Sequence, residues 1–412
     1  MKTKLFFIAL VSVLLNVNAQ STAVNLSMGA GYADEVFYDF STNQSNSYTA
    51  SSWEIAFLRN NSYSFAIRIN DGIGMEVFQA SNTASDYATI DVANEANWTP
   101  LYNDNTTWDY GAFDQGSATY GWGEYNATTH HVEGTATFVL KYSDGTYRKL
   151  FIEDYFGAYT FKYATWDATT STWGTDTTAT VSNSSNPNNM FNYYNFSTSS
   201  EVVAEPESTN WDMKFTKFTV DYPYNGTTIK YNVTGVLHHP DVMVAENIET
   251  GAGDPNTQNY SSDISTIGYD WKAFNGQGYA VETDLYYYVK DVNNNVYRLH
   301  FTSFDGSSTG NISFNTEDVT SLLGVTSLDN GDVFGFYPNP AQNQIEIIYE
   351  NTNNNTVNIS IYSITGQKVV DKELNTNGFY NQKLDVSHLS KGNYLIHFQS
   401  GNQITTKKLI LN

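Results

Sequence analysis

The sequence predicts an all-β protein, on three observations. Tyr (31) and Phe (24) are abundant; with Thr they favour strands, while Asn, Gly and Ser supply turns. Short runs that alternate apolar and polar residues recur along the chain. No long run sets apolar residues at i, i+3, i+4 and i+7, so no substantial helix is expected.

The first element is read as an export signal over residues 1–19. Lys2 and Lys4 form its basic start, Leu5 to Leu15 its short apolar core, and Val17-Asn18-Ala19 a small-residue cleavage site before Gln20. That apolar run is short for a bilayer span, and no second one follows, so no transmembrane segment is expected. With 43 Asp and Glu against 20 Lys and Arg, the net charge is −23. Nucleic acid and anionic membrane are therefore poor partners, since binding them takes positive charge. There is no cysteine, which excludes disulfides, thiolate metal sites, cysteine catalysis and an N-terminal lipid-modified cysteine.

The body carries an internal duplication. Val36-Phe37-Tyr38-Asp39-Phe40-Ser41-Thr42 is echoed by Asn192-Tyr193-Tyr194-Asn195-Phe196-Ser197-Thr198, and Trp53-Glu54-Ile55-Ala56-Phe57 by Trp211-Asp212-Met213-Lys214-Phe215. Further on, Trp122 to Asn126 matches Trp271 to Asn275. The hairpin Phe138 to Ile152 matches Tyr286 to Phe301, with Ser-Asp-Gly and Val-Asn-Asn-Asn as turns that tolerate positive φ. Four blocks in one order predict two tandem β-domains, 20–190 and 191–324. A linker over 325–332 and a compact β-sandwich over 333–412 follow. Trp53 and Trp211 are expected to anchor each domain's core, with Glu54 and Asp212 turned to solvent by strand alternation. The turns around Asp71, Asp144 and Asp291 lack the full spacing of a calcium loop.

The C-terminal block resembles the sorting domain of the type IX secretion system of Bacteroidetes. The resemblance rests on Tyr337-Pro338-Asn339-Pro340, Thr365-Gly366-Gln367, Leu389-Ser390-Lys391-Gly392 with Tyr394, and the basic, apolar end Lys407 to Ile410. It implies an Ig-like sandwich, passage across the outer membrane by the type IX machinery, and a secreted or outer-surface protein. The duplicated body resembles the HmuY family of haem-binding proteins. The carrying residues are Trp53 to Phe57, the set Trp122, Tyr125, Asn126, Thr129, His130 and Val132, and the hairpin Tyr142 to Leu150. This resemblance implies haem or a related porphyrin as ligand, held by His or Met, and transfer to an outer-membrane receptor. The family's haem-ligating position falls on Ala127 in the first copy and Gly276 in the second, neither able to bind iron.

A haem site needs one or two axial donors, an apolar slot and polar groups for the propionates. The candidate donors are His130, His131 and Met75 in the first domain, and His238, His239 and Met243 in the second. Adjacent histidines on a strand point to opposite faces, so one of each pair at most can reach a given iron. The first domain is the stronger candidate because it keeps His130 within the family pattern. No G-x-S-x-G, H-E-x-x-H or phosphate loop is present, so an enzyme is not expected. The alternative is a cell-surface glycan-binding or adhesion protein on the same scaffold. An apolar cleft flanked by His130 or Met75 would favour haem, and an open face of aligned tryptophans would favour sugar.

Overall fold

The computed structural model describes residues 21–59, 66–249, 253–320, 326–327, 333–351, 356–374, 378–401 and 403–412. The expected export signal and most of the expected linker lie outside these residues. Within them the protein is all-β, with short 3-10 turns as its helical segments.

The body is a stack of four antiparallel sheets. The first outer sheet runs in the order Thr172–Trp173, Ala158–Asp167, Tyr147–Tyr155, Thr137–Lys141, Glu76–Ser81, Thr99–Leu101. Thr177–Ser182 also pairs with Ala158–Asp167, and the hairpin Gly123–Asn126/His131–Gly134 joins Tyr147–Tyr155. The first inner sheet is Ser200–Val202, Phe191–Asn195, Ile55–Leu58, Ile67–Ile69. The second inner sheet is Thr227–His238, Met213–Tyr224, Asp34–Asp39, Gln44–Thr49. Thr22–Ser27, Asn311–Asp318, Val296–Phe304, Leu285–Lys290 and Met243–Ile248 form the second outer sheet.

Burial follows this layering. Ile55–Leu58 is buried at every position, as a strand covered on both faces must be, whereas Asn311–Asp318 alternates because one face is solvated. Phe57, Ile67, Trp122, Phe138, Ile152 and Phe161 form the core between the first two sheets. Phe215, Val236, Trp271, Tyr287, Leu299 and Phe314 form the core between the last two. Trp122 and Trp271, from matching sequence blocks, are essentially without exposure in these two cores. A third core joins the inner sheets through Phe37, Leu58, Phe191, Phe218, Leu237 and the Trp53, Trp108 and Trp211 rings.

Strands are not shared out along the expected division at residue 190. Thr22–Ser27, Asp34–Asp39 and Gln44–Thr49 all belong to the second half, and Phe191–Val202 belongs to the first. The first half is the continuous segment 50–202; the second is 204–319 closed by 22–49. The register repeats this relation in both halves. Val36 faces Phe215 and Tyr38 faces Met213, while Asn192 faces Phe57 and Tyr194 faces Ile55. Each aromatic strand thus pairs with the tryptophan strand of the other copy. The physical reason is the connection: the 3-10 turns Ala50–Ser52 and Ser208–Asn210 carry the chain to the other inner sheet instead of folding it back.

Two further expectations change for the same reason. Trp53 and Trp211 do not anchor separate cores but meet in the shared central layer. Glu54 and Asp212 do not face solvent: they are 5% and 8% exposed, because inner strands have no solvent side. Each instead accepts a backbone N–H from the aromatic strand beside it, Phe196 to Glu54 at 2.9 Å and Phe40 to Asp212 at 2.8 Å. The central layer also buries Glu35, which pairs with the Lys214 ammonium at 2.8 Å and accepts from Trp53 Nε1 and Thr216 Oγ1.

The C-terminal region is a separate two-sheet sandwich around Phe334, Ile347, Ile359, Ile396, Phe398 and Leu409. Thr326 and Ser327, within the expected linker, pair with Phe334 and Val333 and so belong to this sandwich.

Candidate functional site

A large, open concavity lies on the solvent face of the first outer sheet. Strand alternation sends Leu150 and Ile152 inward to the core and turns Lys149 and Phe151 outward. On the neighbouring strand Lys162 and Trp166 project to the same side, and the register sets Trp166 directly opposite Trp173. The segment 84–97 folds over this face in two 3-10 turns, seated by the buried cluster of Ile90, Trp98 and Val139. Trp173 Nε1 donates to the Ile90 carbonyl at 2.6 Å, fixing the tryptophan hairpin against that segment.

The result is an open groove of about 1100 Å³. Trp166 and Trp173 meet edge to face with centroids 5.0 Å apart. On the floor lies Tyr87, whose hydroxyl donates to Asp176 at 2.9 Å. The Lys149 ammonium sits 4.0 Å from the Tyr87 ring centroid and Lys162 4.9 Å from it. Burial, then the bond to Asp176, pushes the Tyr87 phenol well up, so it stays protonated and donating. Burial pulls the Lys149 ammonium down, opposed by Asp176 and helped by Lys162. Aromatic faces, hydroxyl-scale polar edges and fixed charges thus line one open trough. The arrangement suits an extended, amphipathic, hydroxyl-rich ligand.

The six donors expected from the sequence do not converge. Met75 is packed in the first core at 2% exposure and lines a cavity of only about 230 Å³, below the size of a typical small-molecule pocket. Met243 is half exposed on the edge strand of the second outer sheet. His238 is fully buried, and both its ring nitrogens meet backbone carbonyls: Nδ1 that of His239 at 2.9 Å, Nε2 that of Asp263 at 2.6 Å. His239 accepts at Nδ1 from the Asp241 N–H and bonds through Nε2 to Ser208 Oγ. Burial pulls its imidazolium down to about 4. Neither of this pair fits an iron-ligand role, since every ring nitrogen is already engaged.

His130 and His131 differ. Both sit at the tip of the hairpin Gly123–Asn126/His131–Gly134, His130 in the left-handed region at φ 64°. His130 Nδ1 bonds the Tyr125 hydroxyl and His131 Nδ1 the Asp154 carboxylate, each at 2.7 Å. Those contacts direct each Nε2 away from its partner, and a carboxylate on the opposite nitrogen is how metal-binding histidines are oriented. His131 also stacks flat on Phe156, with centroids 4.6 Å apart and 65% of Phe156 exposed. Among the six, these two fit an axial role. Among the described residues, no group of three or more His, Cys, Asp or Glu is arranged to hold a bare metal ion.

The groove residues were not singled out from the sequence. A signal for the tryptophans was present: Thr165-Trp166-Asp167 and Ser171-Thr172-Trp173 flank a turn-forming Ala-Thr-Thr, and a hairpin there sets both rings on one face. Tyr87, Lys149 and Asp176 meet only through tertiary packing.

Residues 335–412 match the family described as the secretion system C-terminal sorting domain. No curated protein matches the chain. No helix among the described residues is long and apolar enough to cross a membrane. The sandwich at the end of this chain is therefore the sorting domain of a type IX secretion cargo of Bacteroidetes, and the protein is secreted or attached to the cell surface.

Proposed function

We propose that this protein is a non-enzymatic binding protein of the cell exterior whose ligand is a carbohydrate, taken along the groove of Tyr87, Trp166 and Trp173. The observation that carries this reading is the Trp166–Trp173 pair, half exposed and 5.0 Å apart, on the rim of an open trough with Asp91, Asp176 and two lysines. A sugar ring presents apolar C–H faces and a girdle of hydroxyls. Aromatic faces take the first, and carboxylates, ammoniums and carbonyls take the second. The test is calorimetric titration of the chain from residue 21 with neutral and acidic oligosaccharides, repeated with Trp166→Ala. Saturable binding that weakens at least about tenfold in the variant supports the reading. An absence of binding across the panel overturns it.

A second reading, a haem or porphyrin binder, is favoured by one observation: the Nε2 atoms of His130 and His131 are left over at an aromatic surface of Tyr125 and Phe156. Bound haem would supply an iron that takes imidazole as axial ligand. A haemin titration followed at the Soret band tests it. A saturable shift altered by His130→Ala or His131→Ala supports haem, and an unshifted or unsaturable spectrum removes it.

A further inference from the structure

We propose that the groove prefers an anionic glycan, one carrying uronate carboxylates, and that the carboxylate is received by Lys149 and Lys162. This rests on the carbohydrate reading of the groove and narrows it. The chain has only 20 cationic side chains against 43 acidic ones, yet two of the 20 converge beneath this one concavity. Their strands pair so that Phe151 faces Lys162 and Lys149 faces Ala164. The two lysines are therefore diagonal neighbours on one face, close enough for one ligand group to reach both.

Lys149 is under-satisfied for a buried cation. Its side chain is 6% exposed. The one hydrogen-bond acceptor found for its ammonium among the described residues is the Tyr87 carbonyl at 3.1 Å. The Asp176 carboxylate is 4.0 Å away and is already the acceptor for the Tyr87 hydroxyl. An ammonium carries three donors, and burying it without a close anion is costly. A ligand carboxylate entering the trough completes that shell, while a neutral sugar leaves it as it is. Lys162 is less buried and holds Glu153 at 3.0 Å, so it acts as the outer, exchangeable partner. The rings of Trp166 and Trp173 would meanwhile hold the sugar face, fixing where the carboxylate falls.

The test compares polygalacturonate oligomers with the same oligomers as methyl esters, which keep the sugar and lose the charge. We expect the free acid to bind the chain at least about tenfold tighter, the gain of a charge-assisted bond, with the advantage shrinking as salt rises. In Lys149→Met the free acid and the ester should bind with the same affinity, and in Lys162→Gln the acid's advantage should be reduced. Equal affinity for acid and ester in the wild type overturns the proposal and leaves the carbohydrate reading standing. So does an acid preference that both variants retain. If neither oligomer binds, the proposal is overturned, and the panel of neutral and acidic oligosaccharides decides the carbohydrate reading separately. The wild-type comparison needs no variant, so it holds even if Lys149→Met fails to fold.

Discussion

Phe40 and Asp212 lie 172 positions apart and are joined by a hydrogen bond of 2.8 Å from backbone N–H to carboxylate. Phe196 and Glu54 repeat the bond at 2.9 Å in the other half. The pair of bonds sits where the chain closes: its first strands complete the half built from its later residues.

Removing residues 21–49 should therefore unfold the second half. That half would lose Val24, Leu26, Val36, Tyr38 and Phe40 from its core. Each such side chain contributes about 1.5–3 kcal/mol, and together they rival the about 5–15 kcal/mol that holds a typical domain. Hydrogen exchange on residues 50–324 should show protection over 50–202 and its loss over 213–318. Attaching 22–49 after residue 320 through a flexible linker should restore it. Full protection without these residues would contradict the closure.

The contribution of three buried carboxyls to stability should fall as pH rises from about 4 to about 7. Burial pushes the carboxyls of Asp114, Glu205 and Asp212 up to about 7, above their unfolded values near 4. A group raised in this way stabilises the fold fully below its unfolded pKa and loses that contribution as pH passes its folded pKa. Asp212→Asn keeps an oxygen for the Phe40 N–H and removes the charge. Calorimetric melting should give matching Tm values for variant and wild type near pH 4. Above that, the variant's advantage should grow until about pH 7 and then level.

The Glu35–Lys214 pair should be strongly coupled. Both side chains are nearly buried, at 4% and 6% exposure, so losing one leaves the other charge uncompensated. Glu35→Gln should cost about 3–5 kcal/mol in urea unfolding. Glu35→Gln combined with Lys214→Met should recover most of that, and additive costs would argue against the pairing.

Trp166→Ala should separate binding from stability. The ring is half exposed at the groove rim, so its loss should shift unfolding by no more than about 1 kcal/mol. Trp173→Ala should cost about 1 kcal/mol more, because its indole N–H holds the Ile90 carbonyl. A large Tm loss in Trp166→Ala would make the ring a structural prop.

Much of the fold was legible because local chemistry and architecture agree. The hairpin turns at Asp144 and Asp291 form as their Asp-Gly and Asn runs dictate, the carboxylates accepting Thr146 N–H and Asn293 and Asn295 N–H. The Trp122 and Trp271 blocks fill matching cores. The groove was less legible, since Tyr87 reaches Lys149 and Asp176 across 62 and 89 positions, and no periodicity encodes such a meeting.

By itself the sequence determined the all-β class, the duplication, the hairpins and the exported character carried by the sorting domain, all of which depend on composition, period and contiguous motifs. Tertiary structure alone decided that 22–49 completes the second half, that Glu54 and Asp212 are buried caps, and that two tryptophans, a tyrosine and two lysines share one groove. The physical reason is that a strand's pattern says which face it buries but not which neighbour it pairs with. That choice is made by the packing of all four layers at once.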